Sequence, residues 1–348
     1  MPAGSSFARG AAALYALLRA IAQRDGAGEV IIPSICCEAV ALAARFAGHK
    51  VRFADVSQES LCLTPDSVAR AMSSDTRAVL VVHAFGADAG AAGFRRLRND
   101  HPETVFIENV AQAIGGLNRS GQLLGAELDC ALLSLADGKI VSGDGGILLY
   151  AASNRCPTPE AVEAAIPPSA PRLPQPALAL KLRNFVHAFG DRWRAQPDVR
   201  PAPPFADVPV EFESLIVCAG GVANEAIAIA GLKGLPGIRA RRHSRYRKYR
   251  ERISNPQARM AGLLHEGGTC WRASVLFEEP EIARKVTSAL RSKDIHASNH
   301  YLPLHLLFGG EPLPDSEFVG SRIVNVWVDE TAPECMIDGA IDIINRSR

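Results

Sequence analysis

What the chain lacks narrows its reading first. Charge bias is nearly absent: 38 basic against 37 acidic residues leave a formal net charge of +1. No global excess therefore steers it toward nucleic acid or an anionic membrane surface, and neither is expected as a partner. No apolar run is long enough to span a bilayer. The run at 11–18 is broken by Arg19 and has no small-residue cleavage site, so it reads as part of an amphipathic helix and not as a leader. None of the eight cysteines forms a CxxC pair, and the adjacent Cys36 and Cys37 cannot serve as a zinc knuckle. Their scatter through apolar stretches argues against a disulfide framework. It predicts reduced thiols, no metal site and a cytoplasmic protein. Internal repeats are absent.

What is present is ordinary for a globular chain: 348 residues, 47% hydrophobic and 22% charged, enough for one large domain and a smaller one. Helical patterns at 11–23, 38–47, 65–72 and 89–99 alternate with apolar strands at 29–33, 51–54, 78–83, 105–108, 129–135 and 146–150. Thr64 is the expected N-cap of the third helix. Uninterrupted apolar strands alternating with helices predict an α/β fold whose mostly parallel sheet is covered on both faces. A proline-rich connection occupies about 153–209, with a helix at 178–193 that covers a cleft or an interface. Residues 223–252 are helical, and 239–252 are dense in arginine, which reads as a solvated face or as a phosphate-binding one. Strands at 270–277 and 322–328 and helices at 280–293 and 333–345 form a small α+β unit. The expected division is a large domain at 1–238 and a small one at 239–348.

Open α/β sheets bind ligands at the C-terminal ends of their strands. Three polar residues sit at such ends: His83 after AVLVV, Asn109 after VFIE, and Lys139 in the loop after ALLSL. Each alone is weak. Their succession along one sheet is the signal.

On these residues the chain resembles the DegT/DnrJ/StrS family of pyridoxal-phosphate-dependent sugar aminotransferases. The resemblance rests on R-G-A-A-A-L at 9–14, V-I-I-P-S at 30–34, V-H-A-F-G at 82–86 and I-E-N-V-A-Q-A at 107–113. It continues with G-x-x-x-G-x-x-x-D at 121–129, S-x-x-x-x-K at 134–139, S-G-D-G-G at 142–146 and N-H-Y-L-P-L-H at 299–305. It spans most of 7–150 and 225–345. It implies the type I fold of pyridoxal-phosphate transferases, a homodimer, a keto-sugar substrate that is nucleotide-linked by analogy, and an amino acid donor such as glutamate.

The resemblance makes Lys139 the residue that holds the cofactor and moves the proton. Gly10 and Ala11 would present helix N–H groups to the phosphate, aided by Ser134. Gln112 would contact the pyridine hydroxyl, Cys37 and His83 would lie near the ring, and His300, Tyr301 and His305 would face the substrate. Structural readings stand beside these: a strand-end hydroxyl for Ser134, a helix-start amide for Gln112, core for Cys37, a satisfied strand-end imidazole for His83, and interdomain packing for the last three.

Three departures qualify the match. Asn109 stands where the family has an aspartate that keeps the pyridine nitrogen protonated. Glu108 cannot replace it without a bulge, because consecutive strand residues face opposite sides. Ala11 stands where a hydroxyl residue is usual. Residues 220–222 stand where the family has Asn-x-Arg. Besides transamination, the sequence leaves open a pyridoxal-phosphate enzyme of dehydrating or condensing chemistry, or a paralogue that has lost catalysis.

Overall fold

The computed structural model describes residues 3–173 and 175–348; Pro174, one of the prolines of the 153–209 connection, lies outside them, as do residues 1 and 2. The large unit alternates β1 (Gly4–Phe7), α1 (Gly10–Asp25), β2 (Glu29–Pro33), α2 (Glu38–Phe46), β3 (Lys50–Ala54), α3 (Pro65–Ala71), β4 (Thr76–Val82), α4 (Arg95–Asp100), β5 (Val105–Asn109), β6 (Cys130–Ser134) and β7 (Gly146–Tyr150). These strands form one seven-stranded sheet, ordered β1-β7-β6-β5-β4-β2-β3. The run from β3 to β6 is parallel, and β7 and β1 add antiparallel. The fold class is thus the expected one.

Local chemistry explains the elements. β5 is buried along its whole length, which is why its sequence does not alternate. α1 is alanine- and leucine-rich, buries Leu14, Leu17, Leu18 and Ile21, and stops at Gly26, whose φ is +81°. α3 begins as expected at Thr64, whose side chain accepts from Ser67 N–H while Ser67 Oγ accepts from Thr64 N–H. The single helix expected at 89–99 is instead a 3₁₀ turn, Ala91–Phe94, followed by α4. Gly90 at φ +67° and the flexible Gly93 interrupt it.

After β7 the connection contains α5 (Pro159–Ala164) and α6 (Pro176–Ala195), then α7 (Glu225–Lys233) and α8 (Leu235–Arg252). The C-terminal part comprises β8 (Ala258–Ala261), β9 (Arg272–Phe277), α9 (Pro280–Arg291), β10 (Ala297–Ser298), α10 (Leu304–Phe308), α11 (Pro314–Arg322), β11 (Ile323–Trp327) and α12 (Glu334–Arg346). Its four-stranded antiparallel sheet runs β10-β11-β9-β8, over a separate core that includes Tyr246, Tyr249, Phe277, Val286 and Ile341. The boundary expected at 238/239 falls inside α8, which runs unbroken across it. Basic residues of α8 meet acids of the C-terminal part: Arg241 with Glu330, Arg242 with Asp329, Lys248 with Glu334 and Arg252 with Asp338. Between the bland reading and the phosphate reading of this helix, these pairs favour the bland one. Among the described residues, no helix is long and apolar enough to cross a membrane.

The two parts are stitched through main chain. Thr269 N–H donates to Gly86 O (2.8 Å) and Trp271 N–H to Phe85 O (2.9 Å). Only glycine suits position 86: φ is +88°, and a Cβ there would stand 2.5 Å from Trp271 N.

Glu108 organises the far face of the sheet. Its carboxylate accepts from the N–H groups of Gly125 (2.8 Å), Glu127 (2.6 Å) and Leu128 (2.8 Å) and from His83 Nε2 (3.2 Å). Burial alone would raise its pKa; these donors outweigh burial and hold it below the usual range. Replacing Glu108 by alanine strands three main-chain donors and a histidine. The expected loss is about 3 kcal/mol of unfolding free energy, measurable by urea denaturation at neutral pH.

Candidate active site

Four chain segments converge at the C-terminal edge of the parallel strands: the start of α1, the turn after β2, the end of β5, and the loop after β6. Tyr301 closes the group from the C-terminal part. Together they enclose an inner cavity of about 140 Å³, lined by Gly10, Ala11, Cys37, Asn109, Gln112, Ser134, Lys139 and Tyr301 among others. It adjoins an outer cavity of about 290 Å³, with which it shares Arg9, Cys36, Cys37, Ala39 and Tyr301. α6 walls that outer cavity, so the proline-rich connection does cover a cleft.

Lys139 is half-buried, its Nζ 5.0 Å from the centre of the Trp271 ring. Burial lowers its pKa, and the positive charges of Arg272 and Arg9 lower it further against the pull of Cys37 and Glu38. Trp271 is a site residue that sequence reasoning missed. Its Nε1 donates to Gly138 O (2.9 Å), which pins the loop carrying the lysine. Nothing in the expected strand at 270–277 distinguished this ring from core. Arg9 was also missed as a lining residue, although it opens the motif that marks the start of α1.

Gly10 is obligatory at its position. A Cβ there would stand 2.9 Å from Ser134 Cβ. This contact brings the first turn of α1 against the end of β6. The earliest α1 N–H with a main-chain acceptor among the described residues is that of Ala13, which donates to Arg9 O (3.1 Å). The N–H groups of residues 10–12 are thus free for an anion. Ser134 Oγ has no hydrogen-bond partner among the described residues.

Asn109 occupies the opposite end. Its Oδ1 accepts from Ala111 N–H (3.0 Å), which leaves Nδ2 as an unpartnered donor among the described residues. Gln112 is engaged at both ends of its amide: Oε1 accepts from Phe85 N–H (2.7 Å) and Nε2 donates to the Tyr301 hydroxyl. Burial raises the Tyr301 pKa well above its usual value, so the hydroxyl keeps its proton. Cys37 is half-buried at the N-cap of α2, and burial pushes its thiol up to about 12.

Two expected residues lie elsewhere. His83 does not line the inner cavity. Val82 and Ala84 do, and the residue between them points to the other face of the sheet. There His83 Nδ1 accepts from Ala89 N–H (3.1 Å), and Nε2 donates to Glu108. His305 lines neither cavity. It is buried between the Ser34 hydroxyl (2.8 Å at Nδ1) and Glu317 (2.8 Å at Nε2), where it clamps α10 to the end of β2 and to α11. His300 and Tyr301 do face the outer cavity, and His300 Nε2 lies 3.1 Å from His187 Nε2 of α6. Residues 220–222, where Asn-x-Arg was absent, pack on their own chain: Val222 lies against Gly145, and Gly221 against Ser6.

The donor set suits pyridoxal phosphate. It offers free helix N–H groups and a serine for the phosphate, a desolvated lysine for the aldehyde, and an amide for the ring nitrogen.

Comparison with known proteins agrees with this architecture. The sequence model of the DegT/DnrJ/EryC1/StrS aminotransferase family matches residues 3–168. An L-glutamine:2-deoxy-scyllo-inosose aminotransferase of Streptomyces kanamyceticus is 34% identical over 128 residues, which is 36% of this chain and 30% of that protein. A UDP-N-acetyl-3-dehydro-alpha-D-glucosamine 3-aminotransferase of Acidithiobacillus ferrooxidans is 33% identical over 150 residues, 42% of this chain and 40% of that one. The chain therefore spans well under half the length of these curated relatives. Among solved structures, the Helicobacter pylori aminotransferase PseC superposes with a TM-score of 0.74 at 16% identity, covering 98% of this chain and 85% of that one. The aminotransferase TlmJ of Streptoalloteichus hindustanus gives 0.72 at 20% identity, covering 98% and 84%. At such identities the likeness establishes the fold.

Proposed function

We propose, for a chain whose residues 3–168 match the sequence model of the DegT/DnrJ/EryC1/StrS aminotransferase family, that it is a pyridoxal-phosphate-dependent aminotransferase acting on a keto sugar. A nucleotide-linked sugar and a donor such as glutamate or glutamine are the partners this reading favours. The observation that carries it is Lys139, an amine desolvated at the rim of a cavity whose other end offers unpaired helix N–H groups.

The bound cofactor would supply an electron-withdrawing ring. The chain's own residues do the rest. Residues 10–12 and Ser134 would hold the phosphate, and Asn109 Nδ2 would face the ring nitrogen. Lys139 Nζ, pushed toward its neutral form, would hold the aldehyde carbon with loss of water and, once displaced by the amino donor, would be the base nearest the carbon bearing the amino group. The protonated Tyr301 hydroxyl offers a donor at the boundary of the two cavities, and α6 limits water entry. Because the Asn109 amide carries no charge, a second reading also has support: chemistry on the same cofactor that demands less of the ring, such as dehydration.

A homodimer completes this reading. α7 buries only Ala228 and leaves Ile227 56%, Ile229 50% and Leu232 39% exposed, an apolar face of the kind that associates. It abuts the lysine loop, because a Cβ on Gly143 would stand 2.8 Å from Ala228 Cβ. The eight free thiols suit a reducing compartment such as the cytoplasm.

Borohydride reduction with pyridoxal phosphate should place a pyridoxyl group on Lys139, read by peptide mass spectrometry. The rate should level off below the pH at which an ordinary lysine, with a pKa of about 10.4, would do so. An adduct on a different lysine would sink the assignment. Asn109→Asp keeps the Ala111 contact and adds a charge beside the ring. It should tighten the cofactor and speed amine transfer from glutamate about tenfold or more in a single turnover; slower transfer would favour the second reading. Sedimentation at micromolar concentration should give twice the chain mass. Ile227→Asp together with Ile229→Asp should reduce it to one.

A further inference from the structure

α6 lies beyond the residues the family matches, yet it forms a wall of the outer cavity. Arg183, His187 and Asp191 recur at helical spacing, so they stand on one stripe, and all three line the cavity. The stripe is held in register. Arg194, buried one turn further on, donates from Nε to Gly320 O (3.0 Å) and from Nη2 to Asn299 O (2.5 Å). His187 in turn meets His300 at 3.1 Å. A helix fixed this firmly to the C-terminal part can present side chains to a ligand without reordering.

The charges on this wall do not balance. Arg9, Arg183, Arg194 and Arg291 line the cavity against two carboxylates, Glu38 and Asp191. Asp191 already neighbours Arg194 at 3.6 Å. Arg183 and Arg291 have no carboxylate within ion-pair distance among the described residues. The field is felt nearby: burial pushes His300 down to about 3, and beyond its neighbour His187 the charges of Arg194, Arg272 and Arg291 add to that shift. Arg291 Nε donates to Ala297 O (3.2 Å), which leaves its terminal nitrogens for a ligand. Guanidinium groups at a cavity mouth without a carboxylate partner are suited to phosphate or carboxylate.

We propose that α6 is an anion-recognition wall of the substrate site, on which Arg183, together with Arg291 at the end of α9, holds a phosphate or carboxylate group of the molecule that reaches Lys139. This rests on the reading of Lys139 as the reacting residue. It makes Arg183 and Arg291 specificity determinants supplied by this chain's own connection and C-terminal part, next to the reacting centre and separate from the groups that anchor the cofactor.

The test uses the full chain loaded with pyridoxal phosphate and freed of excess cofactor. Calorimetric titration measures inorganic pyrophosphate as the phosphate probe and 2-oxoglutarate as the carboxylate probe. At least one should bind, and Arg183→Gln and Arg291→Gln should each weaken it about tenfold. Arg183→Lys, which keeps the charge, should recover most of the loss. The probe that weakens identifies the source of the anion. Both substituted side chains are exposed, so the variants should fold and give the same pyridoxyl label on Lys139. Equal binding to wild-type chain and glutamine variants, or no binding of either probe to the wild-type chain, overturns the proposal. An unlabelled Lys139 with anion binding that still depends on Arg183 would sink the cofactor reading alone and support the anion wall.

Discussion

At the end of β5 two adjacent polar side chains leave the strand on opposite faces, and the surrounding loops are arranged to serve both. Glu108 goes to the far side, where a buried carboxylate demands several donors. It finds them in three main-chain N–H groups of the turn at 125–128, those of Gly125, Glu127 and Leu128, and in His83. That turn leads directly into β6, which carries Ser134 and then Lys139. Asn109 goes to the near side and is held by Ala111 N–H, with its Nδ2 toward the cavity. The position of the lysine loop therefore depends on how a carboxylate behind the sheet is satisfied. The same pairing excludes Glu108 as a substitute for the acid that the ring nitrogen would otherwise meet.

Much of this was legible in the chain, and the limits have physical causes. The inner parallel strands β4 and β5 could be read because both their faces are buried and their residues are mostly apolar, whereas the edge strand β3 leaves Lys50 and Arg52 exposed. β1 was missed because its four residues, GSSF, carry no apolar run; β1 exists by pairing antiparallel with β7. Lys139 and Asn109 were read from their place after apolar strands, and Gly10 and Ser134 from the family resemblance; all four line the inner cavity. His83 was misplaced for a reason the sequence already held. Period-two alternation, which sets Glu108 against Asn109, also sets His83 against Val82 and Ala84. The register confirms the phase, since Val82 pairs with Asn109 and Val81 with Glu108. His305 offered no such clue, because its partners Ser34 and Glu317 are brought to it only by tertiary structure. Trp271 likewise depends on the stitch between residues 85–86 and 269–271, which no local pattern foretells.

The inner and outer cavities differ in electrostatic character, and that difference orders the chemistry. In the inner one, burial pushes Lys139 downward and Cys36, Cys37 and Tyr301 upward, each toward its uncharged form. Asn109 and Gln112 add neutral amides. A ligand's negative charge would be met there by the helix N–H groups of α1, the Ser134 hydroxyl and Arg9 at the rim. In the outer cavity the balance reverses, with arginines from α6 and α9 in excess over carboxylates. On the proposed reading, a molecule with an anionic end would leave its charge with the arginines and present its other end to the inner cavity. Tyr301 lies on the boundary and lines both spaces. It is tied by Gln112 to the β5 end and stacks with His300, their rings 5.3 Å apart. His300 in turn meets His187 on α6. A run of contacts thus links His187 on α6 through His300 and Tyr301 to Gln112, three residues beyond the end of β5.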